Sequence, residues 1–172
     1  VATVQAIGGT GALRIGADFL KKVSPNARVL ISDLSWENHR SLFTQAGFTV
    51  GTYRYYDAAN RGINFAGFLA DLQAAPAETI VVLHACCHNP TGYDITPAQW
   101  DEVVQVVKSR KLTAFLDMAY QGFGHGIAED GAVVGKFVAA GVNFFVSTSF
   151  SKSFSLYGER VGALSVVCQS KE

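Results

Sequence analysis

Ser149-Phe150-Ser151-Lys152 is followed by Leu156-Tyr157-Gly158-Glu159-Arg160-Val161-Gly162, which sets a lysine and an arginine across a short apolar run. A lysine amine becomes a nucleophile when desolvation or neighbouring cations favour its neutral form, and it then forms Schiff bases with aldehydes. Arg160 adds a second requirement. A guanidinium presents a planar fork of donors that grips two phosphate oxygens at once, which a second lysine does less well. The pair points to an aldehyde that also carries a phosphate.

Asp117 ends the run Thr113-Ala114-Phe115-Leu116-Asp117, where an unpaired carboxylate is costly to bury, so it needs a cationic partner. A protonated pyridine nitrogen is one candidate, and keeping that nitrogen protonated is what makes pyridoxal phosphate an electron sink. A helix cap or a buried salt bridge is the alternative. Tyr120 could present its phenol to the same crevice. Trp36 offers an aromatic face for a flat ring, although a lone tryptophan starting an amphipathic helix also serves as core.

Two further runs carry candidates. Gly8-Gly9-Thr10-Gly11 opens a helical pattern, so exposed amides and the helix dipole could hold an anion, with the Thr10 hydroxyl as an extra donor. No strand clearly precedes this run, its spacing is not that of a dinucleotide fingerprint, and a turn serving only the backbone is the alternative. His84-Ala85-Cys86-Cys87-His88-Asn89-Pro90-Thr91-Gly92 invites a metal reading. Adjacent cysteines on extended backbone point to opposite sides, and the run lacks Cys-x-x-Cys spacing, so no metal is expected. Asn89 before Pro90 is biased to extended or turn geometry and could aim its amide into a crevice; a plain structural turn is the other reading.

These residues must be positioned by regular elements. Arg28 to Ser32, Phe48 to Tyr55, Thr79 to Ala85, Thr113 to Asp117 and Asn143 to Thr148 read as strands, with Val161 to Cys168 as a sixth. Helical spacing runs through Gly11 to Val23, Trp36 to Ala46, Phe65 to Ala74, Pro97 to Ser109 and Gly131 to Ala140, with Thr96 as an N-cap. Alternation of this kind predicts one α/β domain, a three-layer α/β/α arrangement on a mostly parallel sheet. In such sheets ligands gather beyond the carboxyl ends of the strands.

Composition excludes other classes. The chain has 172 residues, is 49% apolar and carries no net formal charge, enough for a sizeable core. Balanced charge with no basic run argues against nucleic acid or an anionic membrane as partner, and no apolar stretch is long enough for a spanning helix. Three cysteines, two of them adjacent, are not a disulfide framework, which predicts a reducing cytoplasm. The chain starts at Val1 rather than methionine, which predicts a fragment.

Taken together, the Asn-Pro-Thr-Gly turn at Asn89 to Gly92, Asp117 with Tyr120, the Ser-x-Ser-Lys run and Arg160 resemble the class I aminotransferases of the aspartate and aromatic amino acid group. Gly8 to Arg14, Trp36-x-Asn38-His39, Cys86 to Gly92 and Ala119 to Phe123 are similar to that group in the same order, so the resemblance covers essentially the whole chain. Phe150, Phe154 to Arg160 and Gly122-Phe123-Gly124 look more like the bacterial aromatic enzymes. Leu34 departs from the proline often found in relatives, and Gly8 from a serine that some use at the phosphate.

The resemblance implies a pyridoxal 5'-phosphate enzyme of the fold type I large-domain architecture. Lys152 would hold the cofactor covalently and then shuttle a proton. Asp117 would pair with the pyridine nitrogen, Asn89 and Tyr120 would hydrogen-bond the ring O3′, and Trp36 would stack on the ring. Gly9, Thr10, Ser149 and Arg160 would bind the phosphate, with His39 and His84 behind Asp117. It also implies amino acid and 2-oxo acid substrates, a cytoplasmic location and a homodimer of the full-length parent. Residues 1–172 would be part of the large cofactor-binding domain, without the N-terminal arm and the small C-terminal domain. The substrate-carboxylate arginine would lie outside the chain, which would then be inactive alone. Another enzyme of this fold, a lyase or decarboxylase, and a non-catalytic cofactor-binding domain are the alternatives.

Overall fold

Short apolar runs separated by amphipathic stretches bury both faces of a sheet only when helices cover each side. The computed structural model describes residues 1–170. The chain runs β1 (Ala2–Ile7), α1 (Gly8–Val23), β2 (Val29–Ser32), α2 (Glu37–Gln45), β3 (Val50–Tyr53), β4 (Tyr56–Asp57), β5 (Gly62–Ile63), α3 (Phe65–Ala74) and β6 (Ile80–His84). It continues through α4 (Pro97–Arg110), β7 (Thr113–Met118), α5 (Ile127–Ala140), β8 (Phe144–Ser149) and β9 (Val161–Val167).

The main sheet has the order β1-β9-β8-β7-β6-β2-β3, and β4 with β5 forms a separate small hairpin. Among the described strands of the main sheet, β9 alone runs against the others, pairing antiparallel with β8 and β1. The remaining pairs are parallel. No helix among the described residues is long and apolar enough to cross a membrane.

Side-chain alternation along the central strands builds two cores. Val81, Leu83, Ala114, Leu116, Phe144 and Val146 face α3, α4 and α5, where Phe68, Leu72, Val103, Val107 and Phe137 meet them. Ile80, Val82, Phe115 and Phe145 face the opposite way, against Leu13, Ala17 and Leu20 of α1 and Phe43 of α2. Phe115 reaches so close to α1 that a Cβ on Gly16 would lie 2.5 Å from its ring, so α1 needs glycine there. Asp117 shares the Phe115 face of β7, which turns its carboxylate toward α2.

Local signals explain most boundaries. Thr96 caps α4 in a capping box with Gln99, ahead of Pro97. α4 ends where Lys111 turns left-handed. Three expectations need correction. A strand does precede Gly8: β1 was hidden because it is an exposed edge strand with little buried pattern. The stretch read as one strand from Phe48 to Tyr55 is β3 only from Val50 to Tyr53, after which Arg54 bonds Asp71 and the chain turns into the β4–β5 hairpin. α5 begins at Ile127, ahead of Gly131, because Asp130 gathers the preceding loop onto the helix.

Candidate active site

A cavity of about 380 Å³ opens at the carboxyl ends of β6, β7 and β8. It is lined by Gly9, Thr10, Trp36, Asn89, Asp117, Tyr120, Ser149, Lys152 and Arg160, together with His84, Leu13, Ala119, Ser151 and Tyr157. The residues singled out in the sequence therefore converge, with one exception. His39 does not line the cavity but lies fully buried behind Asp117.

Asp117 forms one wall. Its Oδ2 lies 2.8 Å from Nε2 of His39, which α2 delivers from the neighbouring layer. Ser35 joins His39 Nδ1 at 2.9 Å to His84 Nε2 at 3.2 Å. Burial, followed by the nearby His39 and His88, holds the His84 imidazole well below its ordinary pKa, hence neutral. An arrangement satisfying every partner is a chain of donors running His84 to Ser35 to His39 to the Asp117 carboxylate. The carboxylate is thereby fixed, with its other oxygen available to a cation in the cavity.

A second imidazole braces the Asn89 turn. Ser32 donates to the Leu34 carbonyl at 2.7 Å, so it accepts from His88 Nε2–H at 3.0 Å. Thr91 then donates to His88 Nδ1 at 2.8 Å. His88 is neutral, and burial pushes its pKa down to about 4. Its ring stacks on Tyr55 with centroids 4.1 Å apart. Asp94 accepts from the backbone N–H groups of Cys87 and His88, and the Asn89–Pro90 peptide is cis. Leu34 donates its N–H to Asp33 Oδ1, a bond that proline at this position would forbid.

The opposite wall is cationic. α1 begins at Gly8 with no side-chain cap and no acidic residue in its first turn, so its leading amides have no acceptor from the capping position. Arg160 lies over this helix start: a Cβ on Gly8, whose φ is +73°, would sit 2.6 Å from the guanidinium. Glycine at position 8 is thus the condition for the close approach. A Cβ on Gly9 would lie 3.0 Å from Ser149 Cβ at the end of β8, and Ser147 donates to the Gly9 carbonyl at 3.1 Å. Amides, hydroxyl and guanidinium around one helix start make a cradle for a phosphate dianion.

Lys152 lines the same cavity. Its ammonium is 4.9 Å from the Tyr120 ring centroid and 5.4 Å from that of Tyr157, and the Arg160 guanidinium carbon lies 5.8 Å from Tyr157. Arg160 also donates to the Tyr157 carbonyl at 2.9 Å and to Ser151 at 3.3 Å. Sequence reading assigned no role to Tyr157; its spacing from Lys152 and Arg160 within one apolar run was the available signal. The residues could hold a flat phosphorylated aldehyde, since one cavity offers an amine, a carboxylate and an anion cradle.

The expected geometry of the adjacent cysteines is overturned. Cys87 is left-handed, with φ +50°, so Cys86 and Cys87 do not diverge as extended backbone would make them. Their sulfurs and one Asp130 carboxylate oxygen lie within 4.8 Å of one another.

The chain is similar to known proteins along its whole length. The family described as "Aminotransferase class I and II" matches residues 1–172. An aspartate aminotransferase of Pseudomonas aeruginosa is 63% identical over the full chain, and the aromatic-amino-acid aminotransferase of Escherichia coli is 55% identical. The chain spans 43% of the length of each of these relatives. Among solved structures, the aromatic-amino-acid aminotransferase from Burkholderia pseudomallei, covalently bound to pyridoxal phosphate, superposes with a TM-score of 0.98 at 64% identity. That match covers 99% of this chain and 43% of the other. The chain belongs to the class I and II aminotransferase family.

Proposed function

We propose that the longer protein to which this chain corresponds is an aminotransferase, moving an amino group between an aromatic amino acid or aspartate and a 2-oxo acid such as 2-oxoglutarate. The observation that carries the reading is a single cavity gathering an amine, a buried carboxylate and an anion cradle. Lys152 is the attachment point for pyridoxal 5'-phosphate. Asp117, steadied by His39, keeps a proton on the pyridine nitrogen. Tyr120 and Asn89 bind the ring oxygen, Trp36 covers the ring, and Gly9, Thr10, Ser149 and Arg160 hold the phosphate.

When bound, the pyridinium ring draws electrons from the substrate α-carbon. The Lys152 amine, once freed, would serve as the base that holds and moves a proton on one face of the bound group. Relatives named for aspartate and for aromatic substrates are similar in identity to this chain, so both are proposed. The chain is part of the cofactor-binding domain. The parent is a cytoplasmic homodimer, and the chain alone, without the region that grips the substrate carboxylate, does not turn over.

The test is amino transfer from tyrosine and from aspartate to 2-oxoglutarate, by the parent and by the chain alone. Keto-acid formation by the parent only is the expected result. Carbon dioxide release without amino transfer would replace the reading with a decarboxylase, and turnover by the chain alone would refute the statement about the fragment.

A further inference from the structure

Cys86 and Cys87 follow β6 just ahead of the Asn89 turn, neither lines the cofactor cavity, and nothing in the proposed reaction uses them. Cys86 lines a separate cavity of about 240 Å³ with Asp130, His125 and Lys136. Cys87 is partly exposed, and its thiol lies 3.7 Å from the Tyr120 carbonyl, to which it donates. The left-handed Cys87 backbone keeps the two sulfurs within 4.8 Å.

The chemistry of the cluster narrows its ligand. Asp130 already accepts from the backbone N–H groups of Gly122 and Gly124 on Oδ2 and of His125 on Oδ1, at 2.8, 2.9 and 2.9 Å. Its carboxylate is committed to the loop. Two sulfurs alone are half of a tetrahedral zinc shell. Burial, foremost, and the carboxylates of Asp94 and Asp130 push both thiols above their ordinary range, so an ion requiring thiolates must displace two firmly held protons. An electrophile that reacts with neutral thiols and needs two of them fits better.

We propose that Cys86 and Cys87 form a dithiol capture site for trivalent arsenicals. In the step, an aryl arsenoxide forms two As–S bonds, its As–O bonds break, and both thiol protons leave with the oxygen as one water. Arsenic stays trivalent, so no oxidant or reductant is involved. Cys87 reacts first from the partly exposed side and Cys86 closes the ring. Capture removes the S–H donor to the Tyr120 carbonyl, and Tyr120 lines the cofactor cavity. Adduct formation stands on the thiol pair alone; its effect on cofactor binding rests on the function proposed above.

The test mixes phenylarsine oxide with the chain, and with the longer parent, then challenges with excess 2-mercaptoethanol. Intact mass should show one arsenical per chain that survives the monothiol and leaves with 2,3-dimercaptopropanol. Cys86→Ala and Cys87→Ser should each lose the surviving adduct, whereas Cys168→Ala, which removes an exposed lone thiol, should keep it. Circular dichroism of each variant establishes folding, and the unsubstituted protein needs no variant. No surviving adduct on folded protein, or one that persists in Cys87→Ser, overturns the site. A surviving adduct that leaves pyridoxal phosphate absorbance unchanged keeps the site and removes its link to Tyr120.

Discussion

Asp117 is 7% exposed, in a strand paired on both sides, and its carboxylate is held by a histidine with no exposure at all. Arg160 is exposed, lies in a turn, has a left-handed backbone, and draws its hydrogen bonds from that same turn. The two walls of one cavity are thus made differently. The carboxylate wall is part of the core, and disturbing it is a folding event. The cationic wall is applied to the surface, so changes there affect ligands more than stability. One wall is fixed by packing on both faces of the sheet, while the other is built on a turn where motion is cheap.

Lys152→Ala probes the difference most strongly. In the parent it should abolish borohydride-fixable attachment of pyridoxal phosphate and reduce amino transfer by at least about 10⁴-fold, the upper range for losing a proton-transfer group. Urea denaturation should move by less than about 0.5 kcal/mol, as for other partly exposed positions. A large stability loss would break the comparison. Asp117→Ala should behave oppositely, leaving His39 Nε2 buried without its partner at a cost of about 1–3 kcal/mol, measurable by the same denaturation. No change in midpoint would show that the wall is not built by this pair.

Gly8→Ala touches both walls' logic at once. A side chain at φ +73° against Arg160 should cost about 1–2 kcal/mol and weaken inorganic phosphate binding, read by calorimetry. The smallest effect is acidic. His88 has its pKa lowered to about 4, so between the ordinary histidine value and that point the unfolded chain binds more protons than the folded one. Stability is therefore complete above that window and falls as pH drops through it, by about 1 kcal/mol from pH 6.5 to 5.5 on account of His88. His88→Gln should flatten part of this slope in urea titrations at several pH values, and His84 should keep the remainder.

Much of this was legible in the chain itself. The β-branched and aromatic runs of the central strands announce themselves because both faces are buried, and Thr96 with Pro97 and Gln99 marks the α4 start through its own hydrogen bonds. β1 was missed because an edge strand exposed along most of its length shows no burial pattern. The Cys86–Cys87 arrangement was missed because one positive φ cannot be seen in residue types other than glycine or asparagine. Tyr157 was missed because a mostly exposed tyrosine gives no periodic signal; its spacing from Lys152 and Arg160 was the clue, and the distances to both cations give it weight.

The reversed direction of β9 has a consequence for how the chain tolerates change. Ser149 pairs with Gly162, and the Phe150 N–H bonds the Val161 carbonyl at 3.0 Å, so residues 150–160 form a closed loop clamped at its base by the sheet. Lengthening such a loop by a residue or two costs little closure entropy, because that term grows only with the logarithm of length. The fold should accept an insertion between Lys152 and Arg160 almost silently, yet the two cations would no longer be spaced to meet the same ligand. Length here is a functional ruler that stability does not read.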